Sequence, residues 1–394
     1  MKRPTILSAS AISALKACPT QYRYRYHLGI RPAEDAEPLR VGSSWHEGQE
    51  VMYLKPEQPC PRCSNKGKPE ATCPICVGIG FVGDPLDSLA RAMSYRYANL
   101  FPGMPREAKE IERTTILHAL FAYKYCYDEQ PVQVIATEVP FRVPLIDPET
   151  RKAVPDVFID GKIDKLVRYL DSAPMVMEHK STSSDLAPES DYWGHLRLDT
   201  QTMIYVYAAQ RLQADGLLEP WKIMADGPPI SEILYDVWRK PAIRPKKLSQ
   251  AEVTELLESG SYFDQAFDCK WNADSCEFSV DDEFVQVERL KSGAPVICET
   301  PDMYGARLFN EINEKPDRYF ARRTLVRSSV EIERFEIELF NLYRAVKNQA
   351  WFHNEHSCDN YGRCDYCQFC FTGQEIDPSK PPAGFVNIFD KKGK

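Results

Sequence analysis

In the stretch MVMEHKSTSS, residues 175–184, three apolar residues run into Glu178, His179 and Lys180. A strand sets alternate side chains on one face, so Glu178 and Lys180 share a face while His179 points the other way. Asp164 lies in the preceding strand-like run, VFIDGKIDKLVRYL (157–170), and the turn residues DSAP (171–174) separate the two. Antiparallel pairing across that turn brings Asp164 toward Glu178. Carboxylates gathered at strand ends can hold a hard divalent cation through oxygen, with the His179 backbone carbonyl as a further donor. Such a cation polarises a phosphodiester and lowers the pKa of a water molecule. Lys180 would orient or deprotonate that water, or offset charge building on the phosphate. On a solvated strand end the same residues would make only a surface ion pair.

Further residues bear on that choice. DTQTMIYVYAAQRLQADG (199–216) reads as a helix stopping at Gly216, with Gln201 and Tyr205 four apart on one face. A Gln and a Tyr there can bind phosphate or orient the lysine; alternatively, Tyr205 only packs into the core. His46, in GSSWHEG on an early helix, is a candidate metal ligand or a core histidine. Asp160 lies four residues before Asp164 on the same strand face and competes with it for the metal. Glu138, in ATEVPF, is an accessory candidate.

GKID (161–164), MEHK (177–180) and Q-x3-Y (201–205), preceded by His46, resemble the PD-(D/E)xK nuclease superfamily. The resemblance is closest to the RecB-like branch, which includes CRISPR-adaptation nucleases and phage exonucleases. EHKSTSSDL and YWGHLRLDTQTMIYVYAA are similar to its phage and prophage members. The resemblance covers roughly residues 8–212 and the last cysteine cluster. It implies that His46, Asp164 and Glu178 bind Mg²⁺ or Mn²⁺, that Lys180 is catalytic, and that Gln201 and Tyr205 support the site. The G-x-I-D pattern favours Asp164 over Asp160. The implied fold is α/β, a restriction-endonuclease-like mixed sheet flanked by helices. The implied activity is exonucleolytic cleavage of single-stranded DNA or DNA ends in phage or bacterial recombination, repair or replication. A non-catalytic DNA-binding or assembly protein that kept the fold is the alternative.

Thirteen cysteines, clustered and without a secretion signal, suggest metal rather than disulfides. CPRCSNKGKPEATCPICVGIG (60–80) places Cys60, Cys63, Cys73 and Cys76 as two C-x2-C knuckles, which suit tetrahedral Zn²⁺. The module would staple an insertion, dock a partner or guide DNA through Arg62, Lys66 and Lys68. HSCDNYGRCDYCQFC supplies Cys358, Cys364, Cys367 and Cys370, enough locally for zinc. The RecB-like resemblance implies instead a [4Fe–4S] cluster with Cys18 before the nuclease core and three cysteines after it. Regular C-x5-C-x5-C spacing picks Cys358, Cys364 and Cys370, with Cys367 as the rival. Cys126, Cys269, Cys276 and Cys298 are left as structural thiols.

These sites need elements to position them. Residues 1–55 read as helical, with helices expected over 8–29 (capped by Ser8 or Ser10) and 41–54 (capped by Ser43 or Ser44). The zinc-like insertion at 56–85 precedes a helical segment, 86–132. The catalytic core spans 133–216, with strands over 133–145, 157–170 and 174–181. Residues 217–352 add a strand at 230–241, an acidic irregular stretch at 258–300 and a long helix over 328–352. The cysteine cluster at 353–375 leads into a tail at 376–394 expected to be mobile.

A net charge of −8 excludes a protein that coats duplex DNA with its whole surface. Three basic runs, containing Arg23 and Arg25, Arg239 and Lys240, and Arg322 and Arg323, suggest a local channel for single-stranded nucleic acid. A helicase or recombinase is a possible partner. No apolar run is long enough to span a membrane, and a cytoplasmic location, in a bacterium or a phage-infected cell, is the expectation.

Overall fold

From Gln133 to Ile146 the chain alternates, burying Val139, Phe141, Val143 and Leu145 and exposing the residues between. That is the period of a strand with one wet face. Its partner continues the pattern, and the next strand, entered at Met175, is buried on both faces. A computed structural model describes residues 4–33, 37–64, 67–101, 103–129, 132–170, 172–289, 295–359 and 363–390. Lys66, Asp171 and the end of the tail lie outside them.

Six strands form the central sheet: β1 (Thr5–Leu7), β2 (Gln133–Ile146), β3 (Ala153–Arg168), β4 (Met175–Thr182), β5 (Glu232–Arg239) and β6 (Phe320–Val326). The order is β1-β3-β4-β5-β6, with β2 also paired along β3. β2, β3 and β4 pair antiparallel, β4 and β5 parallel, and β6 antiparallel to β5. β1 is parallel to β3, so the sheet is mixed.

Among the described residues eight longer helices surround it: α1 (Ala9–Ala17), α2 (Glu37–Met52), α3 (Pro85–Asn99), α4 (Arg106–Cys126), α5 (Thr200–Ala214), α6 (Gln250–Ser259), α7 (Pro301–Glu314) and α8 (Ser329–Lys347). On one sheet face Ile204, Val206 and Ala208 of α5 and Phe335 and Leu339 of α8 pack against Ile159, Ile163 and Val176. On the other, α2, α3, α4 and α7 share a core with Trp238 and Phe320. The mixed sheet flanked by helices is therefore present. α5 is the crossover between the parallel strands β4 and β5.

Several boundaries differ from the sequence reading. The helix expected over 8–29 stops at Ala17, because Cys18 precedes a proline and is extended (φ −159°, ψ 112°). The chain resumes as a short turn, Pro19–Tyr22, and a π-helical turn, Arg23–His27. Ser8 is the cap, accepting the Ala11 N–H at 3.2 Å. α2 begins at Glu37, so Ser43 and Ser44 are interior and donate back to the Arg40 carbonyl instead of capping. The helical segment after the insertion divides between α3 and α4, with Pro105 before the second. The stretch expected to be irregular holds α6's last turn and a three-stranded antiparallel ribbon, Cys269–Asn272, Glu277–Val280 and Glu283–Val285.

Candidate active site

β3 and β4 pair through Lys165↔Met177, and one step further the strands bring Asp164 beside the start of the polar run. Asp164 Oδ2 accepts the His179 backbone N–H at 3.4 Å and lies 3.2 Å from His46 Nδ1. His46 is delivered by α2. Gly48 lets that helix approach α4, since a Cβ there would stand 2.3 Å from Leu120 Cδ1. Gly161, the glycine of GKID, lies under the Phe141 ring, where a Cβ would meet Cζ at 2.7 Å. Phe141 in turn packs edge-on against Tyr205.

Glu178 is fully buried. Lys180 Nζ stands 2.9 Å from Glu178 Oε1, yet neither Glu178 oxygen accepts a well-directed hydrogen bond. Burial first, and then the neighbouring Asp164 carboxylate, pushes the Glu178 carboxyl up to about 8. Asp164 goes the other way. Burial opposes its charge, but His46, His179 and Lys165 outweigh it and hold its pKa below the usual carboxylate range. Two adjacent carboxylates with opposed shifts show that their negative charges compete in this buried site.

Lys180 is fixed on three sides. It donates to Gln201 Oε1 at 2.7 Å and lies 3.0 Å from Asp199 Oδ2, besides its contact with Glu178. Gln201 Nε2 donates to the Tyr205 hydroxyl at 2.9 Å, so the two residues four apart on α5 form one chain of contacts leading to the lysine. Burial opposes the Lys180 charge, but Glu178 and Asp199 hold its pKa above the ordinary lysine value.

His179 points through the sheet, as alternation requires. Its Nδ1 is 2.7 Å from Asp236 Oδ2, and its Nε2 meets the Lys165 ammonium. The ammonium can only donate, so Nε2 accepts and Nδ1 carries the hydrogen toward Asp236. Asp236 also accepts from Tyr123 OH at 2.6 Å and from Arg322 Nε at 3.0 Å. Sequence reasoning missed Lys165, Asp199 and Asp236. Asp199 had a local signal, an Asp two residues before the helix face that carries Gln201. Asp236 had none, because its partners come from three separate elements, β4, α4 and β6.

Asp160 forms a cross-strand ion pair with Arg142, and Glu138 pairs with Lys162. The basic residues expected to form a channel are mostly engaged. Arg23 pairs with Glu375 at 3.0 Å, Arg25 with Asp365 at 3.8 Å and Arg239 with Asp185 at 3.0 Å. Arg323 lies over the Trp193 ring and donates to the Pro188 carbonyl. Lys240 lines a separate cavity beside Trp238 and Arg244. Arg322 is a correction: its side chain is only 3% exposed and locked to Asp236, so it belongs to the core and not to a nucleic-acid surface.

The thiols of Cys60, Cys63, Cys73 and Cys76 are buried and lie within 4.8 Å of one another, with Cys60–Cys73 at 3.8 Å and Cys63–Cys76 at 3.6 Å. Tetrahedral Zn–S bonds of ~2.3 Å put sulfurs ~3.8 Å apart, so the residues fit zinc. At the other end of the chain, burial and the nearby thiols of Cys367, Cys18 and Cys370 raise the pKa of Cys358. Cys370 is raised by burial and by Cys18 and Cys367. Cys364 has Cys367 as its thiol neighbour. Asn354 and Ser357 donate to the Ala17 carbonyl at 2.7 and 2.8 Å, tying the two chain regions together. Of the thiols expected to be structural, Cys276 and Cys298 are exposed.

The family model of the PD-(D/E)XK nuclease superfamily matches residues 6–371. The chain belongs to that superfamily. A comparison with curated proteins finds no match. Among the described residues no helix is long and apolar enough to cross a membrane.

Proposed function

We propose that the protein is a Mg²⁺- or Mn²⁺-dependent deoxyribonuclease of the RecB-like branch, acting as an exonuclease on single-stranded DNA or DNA ends. The observation that carries this reading is the fully buried Glu178 carboxyl, which sits beside the Asp164 carboxylate with Lys180 Nζ 2.9 Å from its Oε1, neither of its oxygens accepting a well-directed hydrogen bond. Two carboxylates crowded into a buried site repel one another, and a cation at this position offsets that cost. The side chains of His46, Asp164 and Glu178 and the His179 carbonyl would hold it. Such an ion supplies Lewis-acid polarisation of the phosphodiester and a water of lowered pKa.

The chain's own contribution is orientation and charge. A lysine held charged by two carboxylates is a poor base, so Lys180 stabilises negative charge on the phosphate rather than deprotonating water. Asp199 and Gln201 hold its ammonium in place, and Tyr205 holds Gln201. The His179 ring, clamped by Asp236 and Lys165, fixes the peptide that donates to Asp164.

The same reading gives Cys60, Cys63, Cys73 and Cys76 to Zn²⁺. It gives a [4Fe–4S] cluster to Cys18, Cys358 and Cys370, with the fourth place going to Cys367 over Cys364 because Cys367 neighbours both Cys358 and Cys370. A cluster there would staple the two ends of the nuclease domain. Work on single strands fits recombination, repair or replication in a phage or bacterial setting, with a helicase or recombinase as the partner that supplies them.

Digestion of 5′- and 3′-labelled single-stranded and duplex DNA, with and without Mg²⁺, tests the reading. Mononucleotides or short products released only with the metal support it. Intact DNA under every condition, from protein whose metal centres are loaded, returns the chain to a DNA-binding or assembly role.

A further inference from the structure

A cavity of about 1140 Å³ joins two features that the sequence keeps apart. His46, Asp164 and Tyr205 line it. So does the cysteine module, which contributes Pro61 and Arg62 from the first knuckle and Ile75 from the second. The module is held there by more than its own thiols. Ser88 Oγ and Arg91 Nε of α3 donate to the Ile75 and Pro74 carbonyls, both at 3.1 Å. Its cysteines share a core with Trp45, Val51 and Met52 of α2, the helix that bears His46.

The charges lining this cavity are unevenly partnered. Glu47 pairs with Arg96, Glu138 with Lys162, Asp160 with Arg142 and Asp164 with His46. Glu50 and Arg62 differ: among the described residues neither has an opposite charge within ion-pair distance. The Arg62 guanidinium lies 4.8 Å from the centre of the Tyr95 ring, which braces the group without using its hydrogen-bond donors. A cleft rich in carboxylates repels a polyanion except where a cation is free to meet it.

We infer that the zinc module is the substrate-binding wall of the cleft and that Arg62 binds a DNA phosphate next to the one cleaved. The inference rests on the nuclease reading above. Zinc then has a role in substrate binding as well as in folding, because it fixes the knuckle that presents Arg62. An arginine fork suits a phosphate's paired oxygens better than a lysine does.

The test is anisotropy of a labelled single-stranded oligonucleotide on the full-length protein, with Ca²⁺ replacing Mg²⁺ to prevent cleavage. Arg62→Ala should raise Kd roughly 10-fold, the loss of one charged contact, and reduce the salt dependence of binding by about one phosphate. Arg62→Lys should recover part of the affinity, and KM should rise more than kcat falls. Zinc content, measured by elemental analysis, should match the wild type, which separates a lost contact from a lost module. Lys68→Ala, on the same module but outside the cavity, should shift Kd less than twofold. Equal Kd and salt slope in Arg62→Ala and wild type, or equal losses in both alanine variants, overturns this inference alone, provided the wild type cleaves DNA. A wild type that neither binds nor cleaves overturns the nuclease reading and this inference with it.

Discussion

Lys180 Nζ lies 3.0 Å from Asp199 Oδ2, while Oδ1 of the same carboxylate accepts the Gln201 and Thr202 N–H groups at the start of α5. One residue thus holds the lysine and also caps the helix that brings Gln201 to it. The two roles separate by substitution. Asp199→Asn keeps an acceptor for the cap and loses the charge. Asp199→Ala loses both and should cost about 1 kcal/mol of stability. Both should lower kcat by about 10- to 100-fold through a misplaced ammonium. Wild-type kcat in the Asn variant would remove Asp199 from the site.

Arg322 and Asp236 are 3.0 Å apart with side chains 3% and 2% exposed, and Asp236 also receives His179 and Tyr123. Breaking such a pair on one side strands a buried charge. Arg322→Met should therefore cost about 3–5 kcal/mol in urea unfolding. A DNA-contact arginine would behave differently, with weakened binding and unchanged stability, and that result would restore Arg322 to the nucleic-acid surface.

The legible part of this site was local. Strand alternation alone put Glu178 and Lys180 on one face and His179 on the other, and helical spacing alone put Gln201 above Tyr205. The Cys60–Cys76 spacing was equally readable, because both knuckles are complete within a few residues. What stayed hidden depends on where distant elements meet. Asp236 sits in an otherwise buried strand and looks unplaced until β4, β6 and α4 are packed around it. The arginine runs misled for the same reason: a run shows charge, but not whether Arg322 faces a solvent groove or a buried aspartate. Cys18 was visible as a candidate ligand, but its extended backbone, which ends α1 early, follows from the proline after it.

His118 gives a pH dependence away from the metal site. Burial between α4 and α7 lowers its pKa from the ordinary 6.5, against opposing contributions from the Thr114 carbonyl and Asp302, with Arg113 adding to the lowering. The unfolded chain, at 6.5, takes up the proton first as pH falls. Stability from the neutral ring is therefore present above about 6.5 and declines as pH drops through the window below it. The urea midpoint of the wild type should fall between pH 7.5 and 5.5 more steeply than that of His118→Gln. Parallel profiles would show that the half-buried ring does not contribute.

The central claim is that Lys180, Glu178 and Asp164 form a metal-dependent phosphodiester-cleaving site. Single-turnover cleavage of end-labelled single-stranded DNA by wild type and Lys180→Ala, across a Mg²⁺ titration, addresses it most directly. Cleavage by the wild type is expected only with Mg²⁺ or Mn²⁺, with a loss of about 100-fold or more in Lys180→Ala and DNA binding retained. Cleavage by Lys180→Ala at the wild-type rate, or wild-type cleavage unaffected by chelation of the divalent ion, would contradict it.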